Sequence, residues 1–148
     1  MTKKILISIL ALFAIATTAS AAEYNIWVGG VKVTDSNKTN ITGSAIKKGK
    51  VMYEPSTKAL VLTDVEIYRN EGDVIANTGV EGLVIIFEGT NKLTSNNNGD
   101  GAILLKKKTT ISCARNSITN IYAESHLSTK PVKRAVYKPE APLTIAGS

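Results

Sequence analysis

From Tyr24 onward, apolar residues alternate with polar ones in short runs, and no window of a dozen residues keeps a 3.6-residue period. Alternation of this kind, rich in Val, Ile and Thr, predicts strands and argues against a helical bundle. Tyr24, Ile26 and Val28 precede Gly29-Gly30, and Val31 and Val33 follow it, so the pattern predicts a tight hairpin with these five on the buried face. Its register pairs Val28 with Val31, Trp27 with Lys32 and Ile26 with Val33. Trp27 then falls on the polar face beside Asn25, Lys32 and Thr34. Residues 35–50 read as a loop or a short helical turn capped by Asp35 or Ser36. Val51–Tyr53 and Lys58–Leu62 form a second hairpin around a turn whose Pro55 presets the backbone.

Further along, short apolar segments recur in one order. Val65–Ile67, Val74–Ala76 and Leu83–Phe87 make a first set; Lys92–Thr94, Ala102–Leu104 and Thr110–Ser112 a second; Ile118–Tyr122, Ala135–Tyr137 and Leu143–Ile145 a third. The middle segments repeat at offsets of 28 and then 33, the spacing of stacked β-coils. Within them, Ile86–Ser95 lies over Ile111–Asn120 at an offset of 25, which gives Asn91 and Asn116 one phase and predicts a stacked amide pair. Glycines at 72, 89, 99, 101 and 147 mark the corners, and residues 124–134 read as a protruding loop. The inward phase of Leu83–Phe87 stays open, since both phases are apolar. The expectation is an all-β chain in which an N-terminal hairpin layer, residues 23–64, caps about three coils of a right-handed parallel β-helix in residues 65–148. An antiparallel β-sandwich is the alternative.

Residues 1–22 carry Lys3-Lys4, an apolar run from Ile5 to Ile15 broken by Ser8, and a small-residue end, Ala19-Ser20-Ala21-Ala22. That is the grammar of a secretory signal peptide, and its apolar part is too short to span a bilayer. The expected product begins at about Ala22, has no stable membrane span, and is periplasmic, cell-surface or extracellular. Loss of the two lysines takes the formal charge from +6 to +4. The clusters Lys106–Lys108 and Lys130–Arg134 lack interleaved aromatics and any nucleic-acid-binding motif, so nucleic acid is not expected as a partner. Asn37-Lys38-Thr39 and Asn40-Ile41-Thr42 fit the N-glycan acceptor pattern, relevant in a glycosylating host.

Two stretches carry a resemblance. Trp27–Asn37, with its V-G-G-V-K-V-T-D-S-N order, and Gly49–Leu62, reading G-K-V-M-Y-E-P-S-T-K-A-L-V-L, resemble the opening of exported bacterial carbohydrate-binding-domain-containing proteins, of which this would be a short or truncated member. The resemblance implies parallel β-helix coils after the hairpins and, more loosely, a carbohydrate ligand.

The chemistry in the chain is sparse. Cys113 is the single cysteine, so no internal disulfide forms. His126 is the single histidine and lies near no recognisable nucleophile elbow. Asp73 and Asp100, at an offset of 27 and each beside a corner glycine, are weak candidates for a shared cation or an acid/base pair; Asp64 and Glu66 share a strand face without a third acid. No cofactor is expected, and no catalytic constellation names a reaction. Trp27 and Lys32 are the candidate carbohydrate-contact residues, because an aromatic ring beside a donor on a polar face suits a sugar. The expected function is an exported non-catalytic β-solenoid module that binds glycan or a cell surface. The alternatives are an adhesin-like module self-associating through an open C-terminal coil, or a relative of β-helix polysaccharide lyases and hydrolases.

Overall fold

The computed structural model describes residues 21–96, 101–123, 134–137 and 143–147. Within them the chain is all-β, has no helix, and its sheets with parallel strands are curled into a half-barrel. Twelve strands follow one another: β1 (Glu23–Val28), β2 (Val31–Thr34), β3 (Ile46–Glu54), β4 (Ala59–Arg69), β5 (Ile75–Asn77), β6 (Leu83–Glu88), β7 (Thr90–Ser95), β8 (Gly101–Leu105), β9 (Thr109–Cys113), β10 (Ile118–Ala123), β11 (Arg134–Tyr137) and β12 (Leu143–Gly147).

Three parallel ladders hold most of them. Ile75 pairs with Ile103 and Ile103 with Val136 across β5, β8 and β11, at the offsets of 28 and 33 read from the sequence. Ile67 pairs with Leu93 and Leu93 with Ile121 across β4, β7 and β10. Leu60, Ile85, Ile111 and Ile145 follow in register across β4, β6, β9 and β12. These parallel pairings rule out a wholly antiparallel sandwich. β4 belongs to two ladders: Ala59–Thr63 pairs with β6, and Glu66–Arg69 pairs with β7. A division at residue 64 therefore falls inside a strand.

Both hairpins extend these sheets. β1 lies between β2 and β5, antiparallel to each, and β3 runs antiparallel to β4. The first pairs Trp27 with Lys32 and Val28 with Val31, as alternation predicts, but a bulge at Asn25 (φ 49°) intervenes before Glu23 meets Thr34. Ile26, Val28 and Val33 are fully buried, and Tyr24 and Val31 partly so. Residues 35–40 make turns rather than a capped helix: Asn37 accepts from Thr34 N–H at 2.8 Å and donates to Lys32 C=O at 2.8 Å.

Asp64 (φ 51°), Gly89 (φ 68°) and Asn116 (φ 62°) all adopt left-handed backbone, at the bend of β4, between β6 and β7, and between β9 and β10. Asp64 accepts from Thr90 N–H at 2.8 Å, and a Cβ on Gly89 would fall 2.2 Å from that same Oδ1. Glycine at 89 therefore leaves room for the carboxylate as well as permitting the turn. The expected Asn91–Asn116 amide stack does not form. β9 lies on β6 with Ile85 opposite Ile111, one position from the repeat read in the sequence, and β10 lies on β7 with Thr90 opposite Ile118, three positions from it. Asn91 is fully buried instead. It accepts from Val65 N–H at 3.1 Å, donates to Glu88 C=O at 3.0 Å, and reaches Thr119 Oγ1 at 3.4 Å.

The phase of β6 is settled by burial: Leu83, Ile85 and Phe87 have no exposed surface, while Val84 and Ile86 are half-exposed. Truncating Phe87 to Ala should cost about 3–5 kcal/mol in urea unfolding, whereas Ile86→Ala should cost about 1 kcal/mol. Equal losses at the two positions would contradict this packing.

Candidate functional site

Trp27 sits in β1 with Lys32 of β2 on one side and Ala76 of β5 on the other. It is half-buried, and the Lys32 ammonium stands 5.3 Å from its ring centroid. Lys32 is also ion-paired with Glu23. The two residues singled out from the sequence are thus in contact, and a cation already covers part of the ring face that a sugar would use.

Beside Trp27 lies an open cleft of about 320 Å³, walled further by Arg69, Asp73, Ala76 and Thr78. Arg69 is held by its Nε–H, which donates to Glu71 C=O at 2.7 Å, and its guanidinium crosses Gly30, where a Cβ would fall 1.8 Å from Nη1. The hairpin glycine thus serves the site as well as the turn. Gly30 and Arg69 also line a second, wider depression of about 590 Å³ that includes Lys47, Glu71 and Tyr68. Tyr68 in turn lines a third, of about 330 Å³, with Lys92, Thr94, Asn96 and Tyr122. The first two depressions share Gly30 and Arg69, and the second and third share Tyr68, so a track of lining residues links Trp27 through Arg69 and Tyr68 to Tyr122.

The register builds the far end of that track. Tyr68, Thr94 and Tyr122 occupy one row across β4, β7 and β10. The tyrosines are therefore two strand spacings apart, about 9.5 Å. They remain 38% and 44% exposed, whereas Thr94 between them is 8% exposed. Asn96 donates to the Tyr68 hydroxyl at 2.6 Å, and Lys92 Nζ stands 5.9 Å from the Tyr122 ring. The clue to this site in the sequence was outward alternation of Tyr68 and Tyr122, yet only the ladder offsets bring them to one row.

Asp73 lines the Trp27 cleft, while Asp100 and His126 lie outside the described residues. Asp64 is engaged with Thr90 N–H. Cys113 is half-buried and packs against the core. Among the described residues, no three His, Cys, Asp or Glu side chains cluster as metal ligands. No helix among them is long and apolar enough to cross a membrane.

No protein-family model matches the chain, no curated protein matches it, and no solved structure matches its fold.

Trp27 is the only tryptophan in the chain, so its fluorescence reports on this cleft alone. Lys32→Ala removes the ammonium from the ring face, and acrylamide should then quench the emission more strongly than in the parent. Unchanged quenching would mean that Lys32 does not shield the ring.

Proposed function

We propose that this chain is an exported, non-catalytic module that binds carbohydrate chains along the Trp27–Arg69–Tyr68–Tyr122 track. The observation that carries the reading is that the three depressions share lining residues in sequence, with Trp27 at one end, Tyr68 in the middle and Tyr122 at the other. Sugar rings offer apolar C–H faces and hydroxyl edges. Exposed aromatic rings match the first, and the donors of Arg69, Lys47, Lys92 and Asn96 match the second. An extended chain of sugars fits an open track better than a compact metabolite, which calls for an enclosed pocket. The resemblance of the two hairpin segments to exported carbohydrate-binding-domain-containing proteins supports the same ligand class. The segment of residues 1–22 supports export to the periplasm, the cell surface or the medium.

The architecture proposed to carry this surface is a short parallel β-helix of about three coils. Residues 59–69, 83–95 and 109–123 supply two sides, β5, β8 and β11 the third, and β12 opens a further turn. The hairpins β1–β2 and β3–β4 cap one end, covering the outer edges of β5 and β4. The three parallel ladders and their shared left-handed corners support this reading.

The test is retention on a glycan array by the parent and by Tyr68→Ala, Tyr122→Ala and Trp27→Ala. Each loss of a stacking ring should weaken binding about tenfold. Retention of no glycan, or identical retention by all four proteins, would remove the proposal.

A second reading is favoured by one observation: Ile145 of β12 is 74% exposed, and β12 has a ladder partner on one side only among the described residues. Pairing of β12 between two copies would cover both features. Light scattering should then show mass rising with concentration, and a monomer throughout would exclude it.

A further inference from the structure

The small residues at the end of the leader allow two cuts. Ala19-Ser20-Ala21 fits cleavage before Ala22, and Ser20-Ala21-Ala22 fits cleavage before Glu23. The two cuts leave different contacts in the fold. Ala22 is tied to Asp35 at two points: its N–H donates to Asp35 Oδ2 at 3.2 Å, and its C=O accepts from Asp35 N–H at 3.0 Å. A cut before Glu23 would discard both contacts. A cut before Ala22 would keep them.

We propose that a host export peptidase hydrolyses the Ala21–Ala22 bond and that the new α-ammonium of Ala22 seats on the Asp35 carboxylate. Water adds across the amide, leaving a carboxylate on Ala21 and an amine on Ala22, which takes up a proton at neutral pH. The neutral N–H···O contact thereby becomes a charge-assisted one at a position already built. This inference rests on reading residues 1–21 as an export signal and is independent of the carbohydrate proposal.

The seat is prepared by its other partners. Asp35 Oδ1 accepts from Lys38 Nζ at 2.7 Å and from the Tyr24 hydroxyl at 2.6 Å, leaving Oδ2 facing Ala22. The Lys38 bond first, then the Tyr24 bond, holds the Asp35 carboxyl below its ordinary range, so it is ionised at neutral pH. Tyr24 is anchored below by edge contact with buried Tyr53 at 4.9 Å. The remaining charges beside the seat, Glu23 and Lys32, are paired with each other. Lys38 opposes a second cation, yet it occupies the other carboxylate oxygen.

The test is to express the full chain in an exporting bacterium, read the intact mass of the exported product, and titrate its α-amine by pH-dependent acylation. The product should begin at Ala22. Its α-amine should titrate about half a unit or more above the ordinary range of about 7.7–8.0, and return to that range in Asp35→Asn. A raised value means that the pair stabilises the fold below the ordinary pKa and is lost as pH rises through the raised one. Should Asp35→Asn fail to fold, inserting one serine between Ala21 and Ala22 keeps the cleavage motif and moves the amine off the seat, and its α-amine should then titrate normally. A product starting at Glu23 overturns the cleavage site. A full-length product overturns the export reading itself. A product starting at Ala22 with an ordinary α-amine overturns the seat.

Discussion

Parallel strands stacked in ladders pair their backbones along the straight segments and leave them unpaired wherever the chain turns from one ladder to the next. Those turns lie against the core, where an unmet N–H or C=O costs about 1–3 kcal/mol. This chain answers with side chains that act as local backbone. Asn91 binds Val65 N–H and Glu88 C=O, and Asn77, also fully buried, binds both the N–H and the C=O of Val80. Each amide also reaches a threonine hydroxyl of a later segment, Thr119 from Asn91 and Thr109 from Asn77. The same two amides thus satisfy corner backbone and touch the next segment, beside the apolar column of Leu60, Ile85 and Ile111.

That constraint explains the division of labour between the two faces of each strand. Inward positions are held by packing in which Ile67, Leu93, Ile75 and Ile103 are fully buried. Outward positions do not enter that packing, and register decides which of them become neighbours. Tyr68 and Tyr122 are remote from each other along the chain, yet their common row follows from pairing each with Thr94. Rows of outward residues repeat in the stacking direction at one strand spacing.

The hairpins solve a different problem, the open edge of a parallel sheet. β1 pairs with one side of β5, and β3 pairs with β4, so the edges of β5 and β4 are paired and the sheets end instead on the antiparallel strands β2 and β3. The same arrangement brings residues of the first hairpin to the track, since Gly30 accommodates Arg69 from the end of β4. It also holds Ala22 against the turn after β2 through Asp35.

Much of this was legible in the residues themselves. Alternation around Gly29-Gly30 set the pairing of Trp27 with Lys32, and the spacings among Ile75, Ile103 and Val136 are the ladder registers, because burial on one face penalises any slip by one residue. The likeness of Ile86–Ser95 to Ile111–Asn120 misled by one position in β6 and β9 and by three in β7 and β10, since corner lengths differ between turns and similar letters need not be opposite partners. The sequence by itself determined strand class, the order of segments and which hydrophobes repeat. The tertiary structure decided the inward phase of Leu83–Phe87, the partner of Asn91, the ammonium over Trp27 and which residues line neighbouring depressions. Those depend on contacts between residues distant in the chain, for which local pattern holds no term.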